Sequence, residues 1–291
     1  MATPTRISAS EIMEKVSHLC MDANFNLNED VLDALRDSYE EEGSPVAKEV
    51  FAELLENAKI ARECQMPMCQ DTGVAVVFVE IGENIEIVGG RLYDAINEGV
   101  REGYKKGFLR KSMVKDPLNR INTGDNTPAI IHTEFTSENY LKITFMAKGG
   151  GCENMSRLAM LTPADGKAGV INFVVETVKI ARANPCPPII VGVGIGGTFD
   201  YAALLAKKSL LRPLGTKHAD PDTADLEKEM LERINNSGIG AQGLGGWITA
   251  MAVHVERYPC HIASLPVAVN IECHAHRVKT VTLVPCLKSV R

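Results

Sequence analysis

Apolar positions in the first third of the chain recur at helical spacing. Ser8 stands three residues before Glu11 in a capping-box arrangement, and Ile12, Val16 and Leu19 then share one face. Asn28 is placed to cap a second helix carrying Val31, Leu32 and Leu35. Ser44-Pro45, a cap followed by proline at the first helical position, opens a third helix with the stripe Val46, Val50, Phe51, Leu54 and Ala58. From residue 74 the period changes. Positions 74–81 are a dense β-branched run closed by Gly82, and 92–106 return to helix. Residues 129–135 and 140–147 are two strand-like runs, and the short polar connector Thr136-Ser137-Glu138-Asn139 predicts a hairpin between them. A helix over 169–183 leads into the apolar strand 189–194, residues 199–210 and 222–235 are helical, and 250–256, 265–271 and 278–284 are short strands separated by loops. The polar run 217–225 is expected to be a mobile surface loop. The predicted fold class is α/β (mixed α+β) in a single domain, 1–291. A helical N-terminal portion, 1–62, forms a layer ahead of a mixed sheet with flanking helices, 63–291, and there is no internal repeat or clear linker.

Composition adds exclusions. With 291 residues, 45% hydrophobic and 23% charged, the chain is an ordinary soluble globular protein able to bury a core. A net charge of −6 gives no general attraction to nucleic acid or to an anionic membrane, although a local arginine cluster could still draw a small anion. No signal-type or membrane-spanning apolar run is seen, so the expected location is cytoplasmic. The eight cysteines, 20, 64, 69, 152, 186, 260, 273 and 286, are therefore not expected to form a disulfide framework. Their number permits a metal site, and buried small hydrophobes are the plain alternative.

Four segments are rich in glycine or small polar residues: 69–73, 148–152, 194–198 and 238–246. Such loops let backbone N–H groups approach an anionic ligand. Gly192, Gly194 and Gly197 fit G-x-G-x-x-G between a strand and a helix, which raises a dinucleotide-dependent oxidoreductase as an alternative. Against it, the following helix runs into the loop Leu211-Arg212-Pro213-Leu214-Gly215 rather than into a strand ending in an acidic residue. Three cysteines keep special company: Cys69 in Cys-Gln-Asp-Thr-Gly, Cys186 in Pro185-Cys186-Pro187-Pro188, and Cys273 in Glu-Cys-His-Ala-His-Arg. Their long spacings do not by themselves define a ligand set. His274 and His276 beside Cys273 leave a zinc hydrolase as a further alternative. Asp71 before Thr72-Gly73 can be a turn residue, and Arg110 among Lys105, Lys106 and Lys111 can be a solvated face.

Taken together and in order, the segments QDTG, KGGGCEN, PCPPIIVGVGIGGT, HIASLPVA and ECHAHR resemble the α-subunit of two-subunit class I fumarases and L-tartrate dehydratases, and the N-terminal half of single-chain class I fumarases, over roughly residues 60 to 285. The resemblance implies an iron–sulfur hydro-lyase interconverting fumarate and L-malate, with L-tartrate dehydration to oxaloacetate as the alternative. It implies a [4Fe–4S] cluster held by Cys69, Cys186 and Cys273, with one iron lacking a protein ligand. That iron can act as a Lewis acid on the departing hydroxyl. It further implies Asp71 as catalytic base or its partner, and Gln70, Arg110, Gly150 and His261 as groups that bind a small dicarboxylate. Cys152 replaces a serine of single-chain relatives and is read as a non-ligand, while Cys64, Cys260 and Cys286 are read as buried or structural thiols. Single-chain relatives continue into a second half that supplies further cations to the site. The resemblance therefore implies a separate β-subunit that completes the active site, in an α2β2 heterotetramer.

Overall fold

A computed structural model describes residues 5–284 as a mixed α/β protein. In chain order the elements are β1 (Thr5–Ser8), α1 (Ala9–Phe25), α2 (Glu29–Glu41), α3 (Pro45–Cys64), β2 (Val74–Gly82), β3 (Ile85–Val88) and α4 (Leu92–Lys106). Then come β4 (Ile130–Thr136), β5 (Leu141–Lys148), the single turn α5 (Gly150–Glu153), β6 (Arg157–Leu161) and α6 (Gly166–Ala181). The last are β7 (Ile189–Gly196), α7 (Phe199–Ser209), α8 (Pro221–Asn235), β8 (Ala250–Tyr258), β9 (Leu265–Glu272) and β10 (Val278–Leu283). They form two compact units interleaved in sequence, the first from residues up to 27, 60–148 and 277 onward, the second from 28–59 and 149–276. Among the described residues no helix is long and apolar enough to cross a membrane.

In the first unit a four-stranded sheet runs β10-β5-β2-β4, and β2 pairs parallel with β4 and antiparallel with β5. The hairpin expected between β4 and β5 does not form, because β2 lies between them. Its apolar run is buried almost throughout, so it takes a sheet partner on each side. The polar connector instead crosses the end of β2. Gly82 donates to the Tyr140 carbonyl (2.9 Å) and Glu83 to that of Thr136 (3.1 Å). A Cβ on Gly82 would lie 2.2 Å from the Glu138 carbonyl oxygen, so the crossing requires glycine there. Ile12, Val16, Ile96 and Val100 of α1 and α4 bury against Val77, Val79, Ile143 and Phe145 of the sheet. Ser8 caps α1 by accepting the Glu11 N–H (3.1 Å), as expected. The short parallel pair β1–β3 has no expected counterpart.

The second unit is layered about the sheet β6-β9-β7-β8. Alternation along β7 decides which helix meets which face. Ile189, Val191 and Val193 join the core built with α6 and α8, which includes Val174, Val178, Met230 and Ile234. Gly192 and Gly194 face α7. A Cβ at Gly194 would stand 2.1 Å from the Ala202 carbonyl oxygen, and one at Gly192 would stand 2.2 Å from that of Ala206. The two glycines thus admit a helix backbone, not a dinucleotide. Residues 211–215 are a loop, as expected, but the chain beyond them returns through α8 to β8, a strand parallel to β7. The run 217–225 is only partly loop, because Asp220 caps α8 by accepting the Thr223 N–H (3.0 Å) and Pro221 starts the helix. Val46 proves exposed, and Ala47 takes its place on the buried face of α3. Asn28 stands at the N-cap of α2 without a side-chain capping bond.

Glu42 is almost fully buried and accepts backbone N–H bonds from Ser44, Trp247 and Ile248 at 2.9–3.1 Å. Burial alone would raise its pKa, but these N–H donors outweigh burial and hold the carboxyl below its ordinary value.

Two outcomes follow. Gly194→Ala should cost about 1–3 kcal/mol or more of unfolding free energy, since neither backbone can yield by rotamer change; an unchanged denaturant midpoint would contradict the close approach. Glu42→Gln should cost about 1.5–3 kcal/mol near neutral pH. Because the folded pKa is depressed, that contribution is present above the ordinary glutamate range, about 4.3, and is lost as pH falls through the lower folded value. Melting curves of both proteins should therefore converge in acid, and a constant gap at every pH would refute the carboxylate's role.

Candidate functional site

In the first unit the loop 69–73 leads into β2, and its conformation is imposed through its carbonyl groups. Arg277, buried at the head of β10, donates from Nη1 to the Asp71 carbonyl (2.6 Å) and to Asn24 Oδ1 (3.1 Å). The Tyr104 hydroxyl lies 2.8 Å from the Thr72 carbonyl and 3.0 Å from that of Gly73, and Asn126 Nδ2 donates to the Gly73 carbonyl (3.1 Å). Burial pushes the Tyr104 phenol well up, so it remains a donor. Thr72 Oγ1 donates to the Arg110 carbonyl (2.9 Å), which ties the Arg110 segment to this loop. Strand register explains the meeting. Val74 pairs with Lys148 and Val278 with Met146, so the chain just before β2 and the chain just before β10 arrive at one sheet end. Asp71 is half-buried and its Oδ1 accepts the Gly73 N–H (3.1 Å), so the turn reading of this residue holds geometrically. The side chains of Cys69, Gln70 and Arg110 are exposed.

In the second unit β7 and β9 are antiparallel, with Ile190 opposite Glu272. This register carries the segment before β7, which holds Cys186, to the end of β9, where Cys273 follows. Cys186 has φ +54°, a left-handed conformation that costs a non-glycine residue roughly 1–3 kcal/mol and persists only where neighbours enforce it. Here three consecutive carbonyls are taken. The Cys152 thiol donates to Pro185 (3.6 Å), His274 Nδ1 lies 3.1 Å from the Cys186 carbonyl and so carries its proton there, and Gln242 donates to Pro187 from both its backbone N (2.7 Å) and Nε2 (2.9 Å). Cys186 is exposed and Cys273 is buried.

The Sγ atoms of Cys152 and Cys273 and a carboxylate oxygen of Glu272 lie within 4.8 Å of one another, all three residues buried. Cys152, read from the sequence as a non-ligand, thus lies beside the candidate ligand Cys273, and Glu272 was not singled out in the sequence at all. Neither His274 nor His276 belongs to this group, so the zinc set built on those histidines is not assembled among the described residues. The donors suit an iron–sulfur group. Two thiols from separate segments, Cys152 and Cys273, converge with the Glu272 carboxylate, and the paired thiols favour iron–sulfur or another soft metal over a hard cation.

The remaining expected positions are more scattered. Gly150 is exposed at the start of α5. His261 is exposed on the β8–β9 loop and lines a cavity of about 640 Å³ with Lys167, Asp222, Arg257 and Cys260; Cys152, Cys186 and Cys273 are not in its wall. Cys64 is exposed, not buried as expected; Cys260 is exposed with its thiol donating to the Ser264 carbonyl (3.3 Å), whereas Cys20 is fully buried with its thiol pushed far up. Cys286 lies outside the described residues, and no disulfide links the seven described cysteines. The sequence reading missed Arg277, Asn126, Tyr104 and Gln242, whose donors set the two loops. Arg277 and Gln242 lie inside motifs already noticed, but nothing local announces that their partners are carbonyls far away in the chain.

Comparison with known proteins gives the family. The family model for fumarate hydratase (Fumerase) matches residues 13–282. A protein of Methanocaldococcus jannaschii named putative L(+)-tartrate dehydratase subunit alpha is 47% identical over 275 residues, covering 92% of this chain and 95% of that protein. The L(+)-tartrate dehydratase subunit alpha of Escherichia coli K12 is 33% identical over 274 residues, covering 93% and 90%, and that of Shigella boydii gives the same figures. With a family match that spans most of its length and relatives that align nearly end to end, this chain belongs to the fumarate hydratase (Fumerase) family.

Proposed function

We propose that this chain is the iron–sulfur α-subunit of a two-subunit hydro-lyase acting on L(+)-tartrate. One observation carries the substrate: the relative aligned over 92% of the chain at 47% identity is named for tartrate dehydration, as are the Escherichia coli and Shigella proteins. These names favour tartrate over the fumarate–malate pair that the sequence motifs first suggest, and the family's own description keeps fumarate as the second reading. The whole chain, 1–291, is taken as one functional cluster-binding domain. A β-subunit completes the site in an α2β2 assembly, in keeping with the "subunit alpha" of the relatives' names. A reducing cytoplasm suits a set of described cysteines that no disulfide links.

Cys69, Cys186 and Cys273 are the proposed ligands of a [4Fe–4S] cluster whose fourth iron has no protein ligand. When bound, it supplies a Lewis acid for the departing hydroxyl. The chain's own residues have the other half of the reaction. Asp71 takes the proton from the carbon beside a carboxylate as the C–O bond on the neighbouring carbon breaks; that proton, passed on from Asp71, joins the departing hydroxide as water, and the enol left behind tautomerises to oxaloacetate. The Arg277–Asp71 carbonyl bond and the Asp71–Gly73 turn hold that carboxylate's backbone still. Gln70, Arg110, the N–H of Gly150 and His261 bind the dicarboxylate, offsetting the negative charge that grows as the proton leaves.

Anaerobic co-expression with a β-subunit and assay on both substrates tests the reading. The expected result is a kcat/KM for L(+)-tartrate at least about tenfold above that for fumarate or malate, and the reverse order would move the assignment to fumarate hydration. Serine at Cys69, Cys186 or Cys273 should abolish labile sulfide, whereas serine at Cys20 should not; full sulfide in a ligand variant removes that residue from the set. Asp71→Asn retains an oxygen for the Gly73 N–H, so fold and sulfide content should persist while turnover falls about a hundredfold. Unchanged turnover would leave Asp71 as a turn residue only.

A further inference from the structure

The glycine-rich segment 238–246 has the composition of a ligand cradle, but the structure spends its backbone groups internally. Gly243 donates to the Gly240 carbonyl (3.0 Å), Gly245 to that of Ile239 (2.9 Å), and Gly240 to Thr249 Oγ1 (3.0 Å). Both flanks are pinned. Glu42 accepts the Trp247 and Ile248 N–H groups, and Asn235 Oδ1 accepts those of Thr249 (2.9 Å) and Ala250 (2.8 Å). Within this braced loop Gln242 alone is a non-glycine residue with positive φ, +51°. That conformation aims two donors at one acceptor. Its backbone N and its Nε2 both reach the Pro187 carbonyl, at 2.7 and 2.9 Å, and Nε2 lies 3.4 Å from His274 Nδ1.

We infer that Gln242 is a positioning residue, which holds the strained Cys186 loop through the Pro187 carbonyl, so that the Cys186 carbonyl stands ready for the His274 Nδ1–H and the Cys186 segment is set before a cluster binds. The inference rests on the cofactor reading above and adds to it the residue that presets the Cys186 ligand segment. Pro185, Pro187 and Pro188 have no N–H, so the loop can be gripped only through its carbonyls and the single Cys186 N–H, which is already given to the Ala183 carbonyl (2.9 Å). Of the three carbonyl donors, Cys152 and His274 lie beside or within the candidate metal site. Gln242 is the one that reaches it from a separately anchored loop.

Two substitutions separate positioning from folding. Gln242→Gly keeps the backbone N–H and tolerates φ +51° without strain, removing only the amide. Gln242→Glu keeps the size but presents an acceptor to the Pro187 carbonyl. The full-length chain, loaded anaerobically with iron and sulfide, is mixed with an excess of ferrous chelator and iron release is timed. Melting of the metal-free chain is measured alongside. Loss of an outer partner of a metal site costs about tenfold to a hundredfold in hold on the metal. Both variants should therefore release iron at least about tenfold faster than the wild type, with the metal-free Gln242→Gly melting as the wild type does. Release at the wild-type rate in both variants, from a wild type that contains labile sulfide, overturns the inference alone. So does a Gln242→Gly chain whose metal-free melting falls while Gln242→Glu holds iron normally, since the role is then in folding. A wild-type chain that takes up no labile sulfide overturns the cofactor reading and this inference with it.

Discussion

Both cysteine-bearing loops described above are held through their carbonyl oxygens. In the first unit the carbonyls of residues 71–73 take Arg277, Tyr104 and Asn126; in the second, those of residues 185–187 take Cys152, His274 and Gln242. A neutral hydrogen bond of this kind nets only about 0.5–1.5 kcal/mol, and one from a charged donor such as Arg277 about 1.5–3. Their sum is comparable with the cost of a left-handed Cys186. The loops are thus irregular in backbone but fixed in position. A catalytic or ligand-bearing segment needs this, because a thiol or carboxylate misplaced by an ångström loses most of its effect.

Those donors can reach their targets because of strand order. Arg277 meets Asp71 because β10, β5 and β2 pair antiparallel in register, and His274 meets Cys186 because β9 pairs antiparallel with β7. The glycines of β7 belong to the same scheme. They bring the α7 backbone onto the sheet, close enough that a methyl group would not fit, while the opposite face of the strand fills with Val191 and Val193. The G-x-G-x-x-G spacing is real, but its physical content here is helix–sheet contact.

Element type was legible where the apolar period was long. The 92–106 helix and the 74–81 strand are found within a residue of their expected bounds, since each side chain in such a run makes the same demand on the backbone. Asp220-Pro221 carried a helix-start signal that polarity alone obscured. The hairpin failed for a different reason. Connector length permits adjacency, but whether a third strand enters between two neighbours depends on that strand's need for partners on both sides, and β2 is distant in sequence.

The sequence by itself determined the family, through short motifs in fixed order, and with it the reaction class and the cysteine, aspartate and arginine candidates. Its periodicity determined most of the helices and strands, because burial of one face is a local pattern. The tertiary structure alone decided which residues immobilise the candidates. Gln242, Arg277, Tyr104 and Asn126 act on backbone carbonyls between 31 and 206 residues away. A backbone carbonyl is the same group in every residue, so no side-chain pattern in the sequence marks which one will receive a donor; only the strand pairing that brings the two together does.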